Sequence, residues 1–192
     1  SRQQIRMRTD VESSIVRFVY PNLPEIKPDQ NGSHYATFSM NFDNPSGFRY
    51  SLYRSDGTYS HDDDGVQVGM NLHNNEDQYQ YHFTTKQFKV YNASDVPIDP
   101  WKYKSDLRII VKFSGNSLKL TNTTTNTEWT YQKSSNGQDT IVLDGIVTTL
   151  NTNPASANSD YGTIRLATEW NNFTVDGADS VDITFSFPFV YI

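Results

Sequence analysis

Apolar and polar residues alternate with a period of two along much of the chain. In residues 181–192 (VDITFSFPFVYI), Val181, Ile183, Phe185 and Phe187 fall on one side, and Asp182, Thr184 and Ser186 on the other. Residues 35–42 (YATFSMNF) place Ala36, Phe38, Met40 and Phe42 on one face. Comparable stretches occur at 15–20, 48–54, 66–72, 78–83, 87–91, 106–113, 117–121, 128–132, 140–150 and 163–167. Successive side chains of a strand point to opposite faces, so each stretch predicts a strand with one buried row. The 3.6-residue period of an amphipathic helix is not sustained anywhere. Turn signals separate the stretches at Asp56-Gly57, Asp64-Gly65, Asn136-Gly137 and Asp176-Gly177. Pro188 has no N–H for a ladder, which predicts an edge position or a bulge in the last strand. About a dozen short strands predict an all-β fold: a two-sheet antiparallel β-sandwich, jelly-roll or concanavalin-like in topology.

Composition supports this reading. Aromatic residues make up 14% of the 192 residues, with 12 Tyr and 11 Phe, and they fit pleated surfaces. The length suits one sandwich over residues 13–192, with the polar, basic residues 1–12 leading in from a preceding segment. Residues 151–160 (NTNPASANSD) read as a long polar loop, because strand patterning resumes after them. Cysteine is absent, which excludes a disulfide framework, a thiolate nucleophile and thiolate metal sites. A net charge of −6 with scattered Lys and Arg argues against a nucleic-acid partner. No apolar run approaches the roughly 18 residues of a spanning helix, so membrane insertion is not expected.

Candidate chemistry concentrates in residues 95–106 (DVPIDPWKYKSD). Two prolines and four flanking charges predict a surface loop carrying Trp101 and Tyr103. Rings displayed this way can stack on the apolar face of a sugar while Asp99, Lys102, Lys104 and Asp106 bond to its hydroxyls. The alternative is that Trp101 folds back and plugs the end of the sandwich. Residues 56–65 (DGTYSHDDDG) offer a second cluster, in which Asp62, Asp63 and Asp64 supply hard oxygen atoms suited to calcium, beside His61. The spacing is not that of an EF-hand and is better read as a solvated turn, so no cofactor is predicted, with calcium the alternative. His61 and Asp62 are added to the saccharide-binding set. Tyr79, Tyr81 and Phe83 alternate with Gln78, Gln80 and His82, so one row faces the core and the other faces out. Trp129 and Tyr131 read as core packing, and Trp170 is ambiguous in the manner of Trp101.

Enzyme signatures are missing. There is no G-x-S-x-G elbow, no H-E-x-x-H and no phosphate-cradling glycine loop, and the five Glu never pair at the spacing that aims two carboxylates at one cleft. A non-catalytic chain is expected.

The runs VQVGMNL (66–72), QYQYHF (78–83) and LRIIVKFSGNSLKLT (107–121) resemble the successive strands and G-N-x-L-x-L hairpin of concanavalin-like or jelly-roll carbohydrate-binding modules. The Cys-free, acidic, Asn-, Thr- and Tyr-rich style is also similar to accessory carbohydrate-binding modules of siphophage baseplates and tails. These resemblances imply binding of a cell-surface saccharide, attachment to a larger oligomeric assembly, and an extracellular or virion location. A structural or decoration domain of a virion or fibre is the first alternative, and it predicts an extensive apolar or strand-edge surface for protein contact. A glycan-active enzyme on the same sandwich is the second.

Overall fold

The computed structural model describes residues 3–27, 30–32, 34–57, 66–72, 79–102 and 106–192. Among them the strands are β1 (Ile5–Met7), β2 (Ile15–Asn22), β3 (Asn41–Asp43), β4 (Arg49–Arg54), β5 (His82–Phe83), β6 (Gln87–Asn92), β7 (Arg108–Asn122), β8 (Thr127–Tyr131), β9 (Ser135–Asn136), β10 (Ile141–Asp144), β11 (Val147–Leu150), β12 (Asn153–Pro154), β13 (Glu169–Ser186) and β14 (Pro188–Tyr191). One 3₁₀ turn, Ser156–Asn158, is present, and no α-helix occurs among the described residues. All strand pairs are antiparallel and form two sheets, so the all-β, two-sheet expectation holds. The smaller sheet runs β1-β2-β4-β14, with β3 also paired to β2. The larger runs β12-β11-β10-β7-β13-β5, with β6 on β13 and both β8 and β9 on β7.

The long β7–β13 ribbon organises the larger sheet. Its first half pairs Arg108–Ser114 with Ser180–Ser186, and its second pairs Lys119–Asn122 with Phe173–Asp176. Between the halves the ribbon folds over. Phe173 and Phe185 lie twelve residues apart on β13, which straight strand geometry would separate by about 40 Å. Their ring centroids are 4.9 Å apart. Phe83 and Phe88 complete the cluster in this fold: Phe83 stacks on Phe88 at 4.2 Å, and Phe88 on Phe173 at 5.4 Å. The two halves therefore face one another across the core. Fully buried Trp129 on β8 reaches across it, its indole N–H donating to Thr148 Oγ1 on β11 at 3.1 Å.

Two glycines let the ribbon turn. On β7 the buried row is Ile109, Val111 and Phe113, then Leu118 and Leu120, so the inward face changes parity between Phe113 and Leu118. Register shifts mark the same place, between Asp176 and Ser180 on β13. This is a β-bulge, in which an extra residue on one strand sharpens the local bend. Gly115 lies at φ +138° and Gly177 at φ +81°. A Cβ on Gly115 would sit 3.1 Å from Ala178 Cα and Gly177 O, both backbone atoms. One on Gly177 would meet Ser117 Oγ at 2.9 Å.

Several elements differ from those the sequence predicts. Residues 106–113 and 117–121 are one strand rather than a hairpin, because Gly115-Asn116 makes the bulge instead of a turn. Asp176-Gly177 lies within β13 for the same reason. The stretch 181–192 is two strands: β13 ends at Ser186, and Pro188 opens β14 in the other sheet beside a register shift, as its missing N–H suggested. Residues 140–150 form a hairpin, β10 and β11, turning at Gly145 (φ +61°). Residues 66–72 form no strand: Met70 N–H bonds to Gln67 O, Gly69 and Asn71 have positive φ, and buried Met70 with partly buried Leu72 anchors the turn in the core. Of 35–42 only Asn41 and Phe42 are strand, at the start of β3, and the apolar row is exposed. Residues 163–167 contribute a single bridge instead of a strand.

A polar junction ties the two sheets where the chain crosses between them. Arg54 on β4 donates to Ser186 Oγ (2.7 Å) and to the Ser186 carbonyl (2.6 Å), while pairing with Asp106 at 2.5 Å. Ser55 donates to Phe185 O and accepts from Phe187 N–H. A contiguous buried cluster runs through both sheets, from Ile15 to Tyr191.

Candidate binding groove

Two loops at one end of the ribbon are held side by side. The first, between β6 and β7, carries Pro97, Ile98, Asp99, Trp101 and Lys102; the second, before β13, carries Arg165, Leu166 and Ala167. Ile98 and Leu166 are both buried, and each donates its N–H to the other's carbonyl at 2.9 Å. Alternation in TIRLA then leaves Arg165 pointing away from the core.

Three buried asparagines fix the second loop. Asn122 Nδ2 donates to Arg165 O at 2.7 Å and to Asn171 Oδ1 at 3.0 Å. Asn171 Oδ1 also accepts the Ala167 N–H at 2.8 Å, and Asn92 Nδ2 donates to Ala167 O at 3.1 Å. Thr125 and Thr127 clamp Arg165 from the other side, through its carbonyl and its N–H. Buried amides with their bonds satisfied hold irregular backbone rigidly, because breaking one leaves an unsatisfied buried group.

Between the loops lies a groove of about 320 Å³ lined by Pro97, Asp99, Lys102, Thr125, Arg165, Leu166 and Ala167. Asp99 is buried. Its Oδ1 accepts the Trp101 N–H at 3.0 Å, and its Oδ2 is 3.6 Å from Arg165 Nη1. The carboxylate thus closes an Asx-type turn that presents Trp101. The Trp101 indole N–H donates to Thr163 Oγ1 at 3.2 Å, yet the residue remains 67% exposed. Its polar edge is tethered and most of its surface is open, so it does not plug the sandwich. Trp129 is fully buried, and Trp170, 40% exposed, packs against Tyr91 and Tyr79.

Of the sequence-predicted set, Asp99 and Lys102 line this groove, while Trp101 stands on the same loop, joined to it through its N–H to Asp99 with its indole turned to Thr163. Tyr103, His61 and Asp62 lie outside the described residues, as do Lys104 and most of the aspartate-rich loop. Asp106 belongs elsewhere, bonded to Arg54 at the sheet junction. Gln80 and His82 are exposed and Tyr81 and Phe83 buried, so the polar row faces out there, with His82 3.0 Å from Asp182. Among the described residues no three His, Cys, Asp or Glu gather to hold a metal, and no helix is long and apolar enough to cross a membrane. Arg165 was missed. Only the bridge between Ile98 and Leu166, far apart in sequence, brings it to the loop of Trp101.

The architecture defined by these elements is an antiparallel two-sheet β fold with a bent central ribbon and a groove at one end. No family model matches the chain, and no curated protein matches it. Among solved structures it is similar over 99% of its length to the crystal structure of the SPP1 Dit (gp 19.1) protein, with a TM-score of 0.61 and 9% sequence identity. That structure is described as a paradigm of the hub adsorption apparatus in phages infecting Gram-positive hosts. The match covers 66% of that chain, just under two thirds of its length. At this identity the likeness shows a shared fold.

Proposed function

We propose that the chain is a structural subunit of a phage tail adsorption apparatus, working at its hub within a larger oligomeric assembly on the virion. The observation that carries this reading is the likeness of fold along nearly the whole chain to an adsorption-hub protein. The surface supplies independent support. Between β2 and β3 the chain leaves the smaller sheet as an arm with Leu23 80% and Tyr35 81% exposed, and with Ile26, Phe38, Met40 and, on β3 itself, Phe42 also exposed. So many large apolar side chains in one segment mark a protein-contact surface. Light scattering on the purified chain tests this. A mass above the 22.0 kDa of one copy is expected, falling to a single copy in Tyr35→Asp/Phe38→Asp. A wild type that stays monomeric at high concentration would argue against a hub role.

A second reading, contact with a cell-surface saccharide at the groove, is favoured by the open surface of Trp101 beside buried Asp99. An aromatic platform with a few placed polar groups suits a pyranose ring, and the subunit would bind without cleaving. Such sites are individually weak, and repetition around an oligomer raises avidity. Retention on cell-wall polysaccharide should fall at least about tenfold in Trp101→Ala, given the alanine-substitution cost of a stacking or central aromatic contact. Equal retention of variant and wild type would remove the platform.

A further inference from the structure

The charges around the groove carry the saccharide reading one step further. Lys102 and Arg165 both line it, facing one buried carboxylate, Asp99. Lys102 makes no ion pair among the described residues. Among the described residues the Arg165 guanidinium makes only the 3.6 Å contact with Asp99, longer than a hydrogen bond, and its side chain is nearly half exposed. Asp99 spends its other oxygen on the Trp101 N–H. Two cations with unspent donors therefore line the groove, next to the loop that displays the open indole, on a chain whose net charge is −6. Overall electrostatics repels polyanions, so a local cationic groove acts against the background rather than with it. Guanidinium geometry suits two oxygens of a carboxylate or phosphate, and Lys102 adds a point charge. The Arg165 backbone is pinned by Asn122, Thr125 and Thr127. Little loop freedom is then lost when a ligand docks.

Resting on the saccharide reading, we infer that the groove takes an anionic saccharide, with Trp101 stacking on a ring while Arg165 and Lys102 bind its carboxylate or phosphodiester oxygens. Arg165 sets the class of ligand.

Affinity electrophoresis of the chain through gels containing dextran, polygalacturonate or poly(glycerol phosphate) separates the possibilities. Wild type should be retarded more by at least one anionic polymer than by neutral dextran, and which one identifies carboxylate or phosphodiester as the group bound. Arg165→Gln should lose about tenfold in affinity for that polymer, the scale of one charge-assisted bond. Binding of dextran should change less than about twofold. Lys112→Gln, on the exposed face of β7, should behave as wild type and so exclude general charge effects. If Trp101→Ala abolishes retention while Arg165→Gln leaves it unchanged, the platform stands and the anionic preference is wrong. If no polymer retards the wild type, both are wrong.

Discussion

Phe185→Ala should lower the unfolding free energy by about 3–5 kcal/mol, the usual cost of deleting a fully buried ring from a packed core. Phe185 contacts Phe83, Phe88 and Phe173, so several neighbours would have to move to fill the void. Urea unfolding of the variant gives the number. Pairing it with Phe173→Ala gives a more pointed result. Rings 4.9 Å apart should show coupling of about 0.5–1.5 kcal/mol in a double-mutant cycle. Two residues twelve positions apart on a straight strand would be additive. Additive losses would mean that β13 does not fold back on itself.

The second large effect falls at the bulge that makes this folding possible. Gly115→Val should destabilise by about 2–5 kcal/mol, combining backbone strain at positive φ with overpacking. The new Cβ would stand 3.1 Å from backbone atoms of β13, which cannot rotate aside. Asn116→Val, one residue on and exposed, is the comparison, and it should change stability by less than about 1 kcal/mol. Equal effects at the two positions would show that Gly115 is not required by the bend. Thermal and urea melts of both variants settle it.

These two sites also explain what could be read from the sequence. Period-two alternation located β2, β4, β6, β8 and both halves of β7, because each buries one row against the core. It failed at 35–42, where alternation is present but the apolar row of the arm stays exposed, since periodicity reports a face without saying what covers it. Glycine dipeptides were the other source of error. Gly115-Asn116 and Asp176-Gly177 signal positive φ, and a turn and a bulge use that conformation equally. Opposed on neighbouring strands, they form one bend. Because of it, β13 was read twelve residues short, and residues 169–180 were not recognised as strand.

The groove was half legible. Prolines and charges around Trp101 marked a surface loop, and the structure leaves that ring exposed beside Asp99 and Lys102. Arg165 carried no local signal. Its place depends on a two-residue bridge and on buried Asn92, Asn122 and Asn171, polar residues that composition alone assigns to turns. Buried amides that shape a loop are legible only once their carbonyl partners are in view.

The proposed role in a tail adsorption apparatus predicts a fixed place for the chain on the particle. Immunogold electron microscopy, with antibody against the purified chain, tests this on tailed particles produced by the genome that encodes it. Gold clustered at the distal end of the tail is the predicted result. Tailed particles carrying no gold, or gold spread over head and shaft, would contradict it.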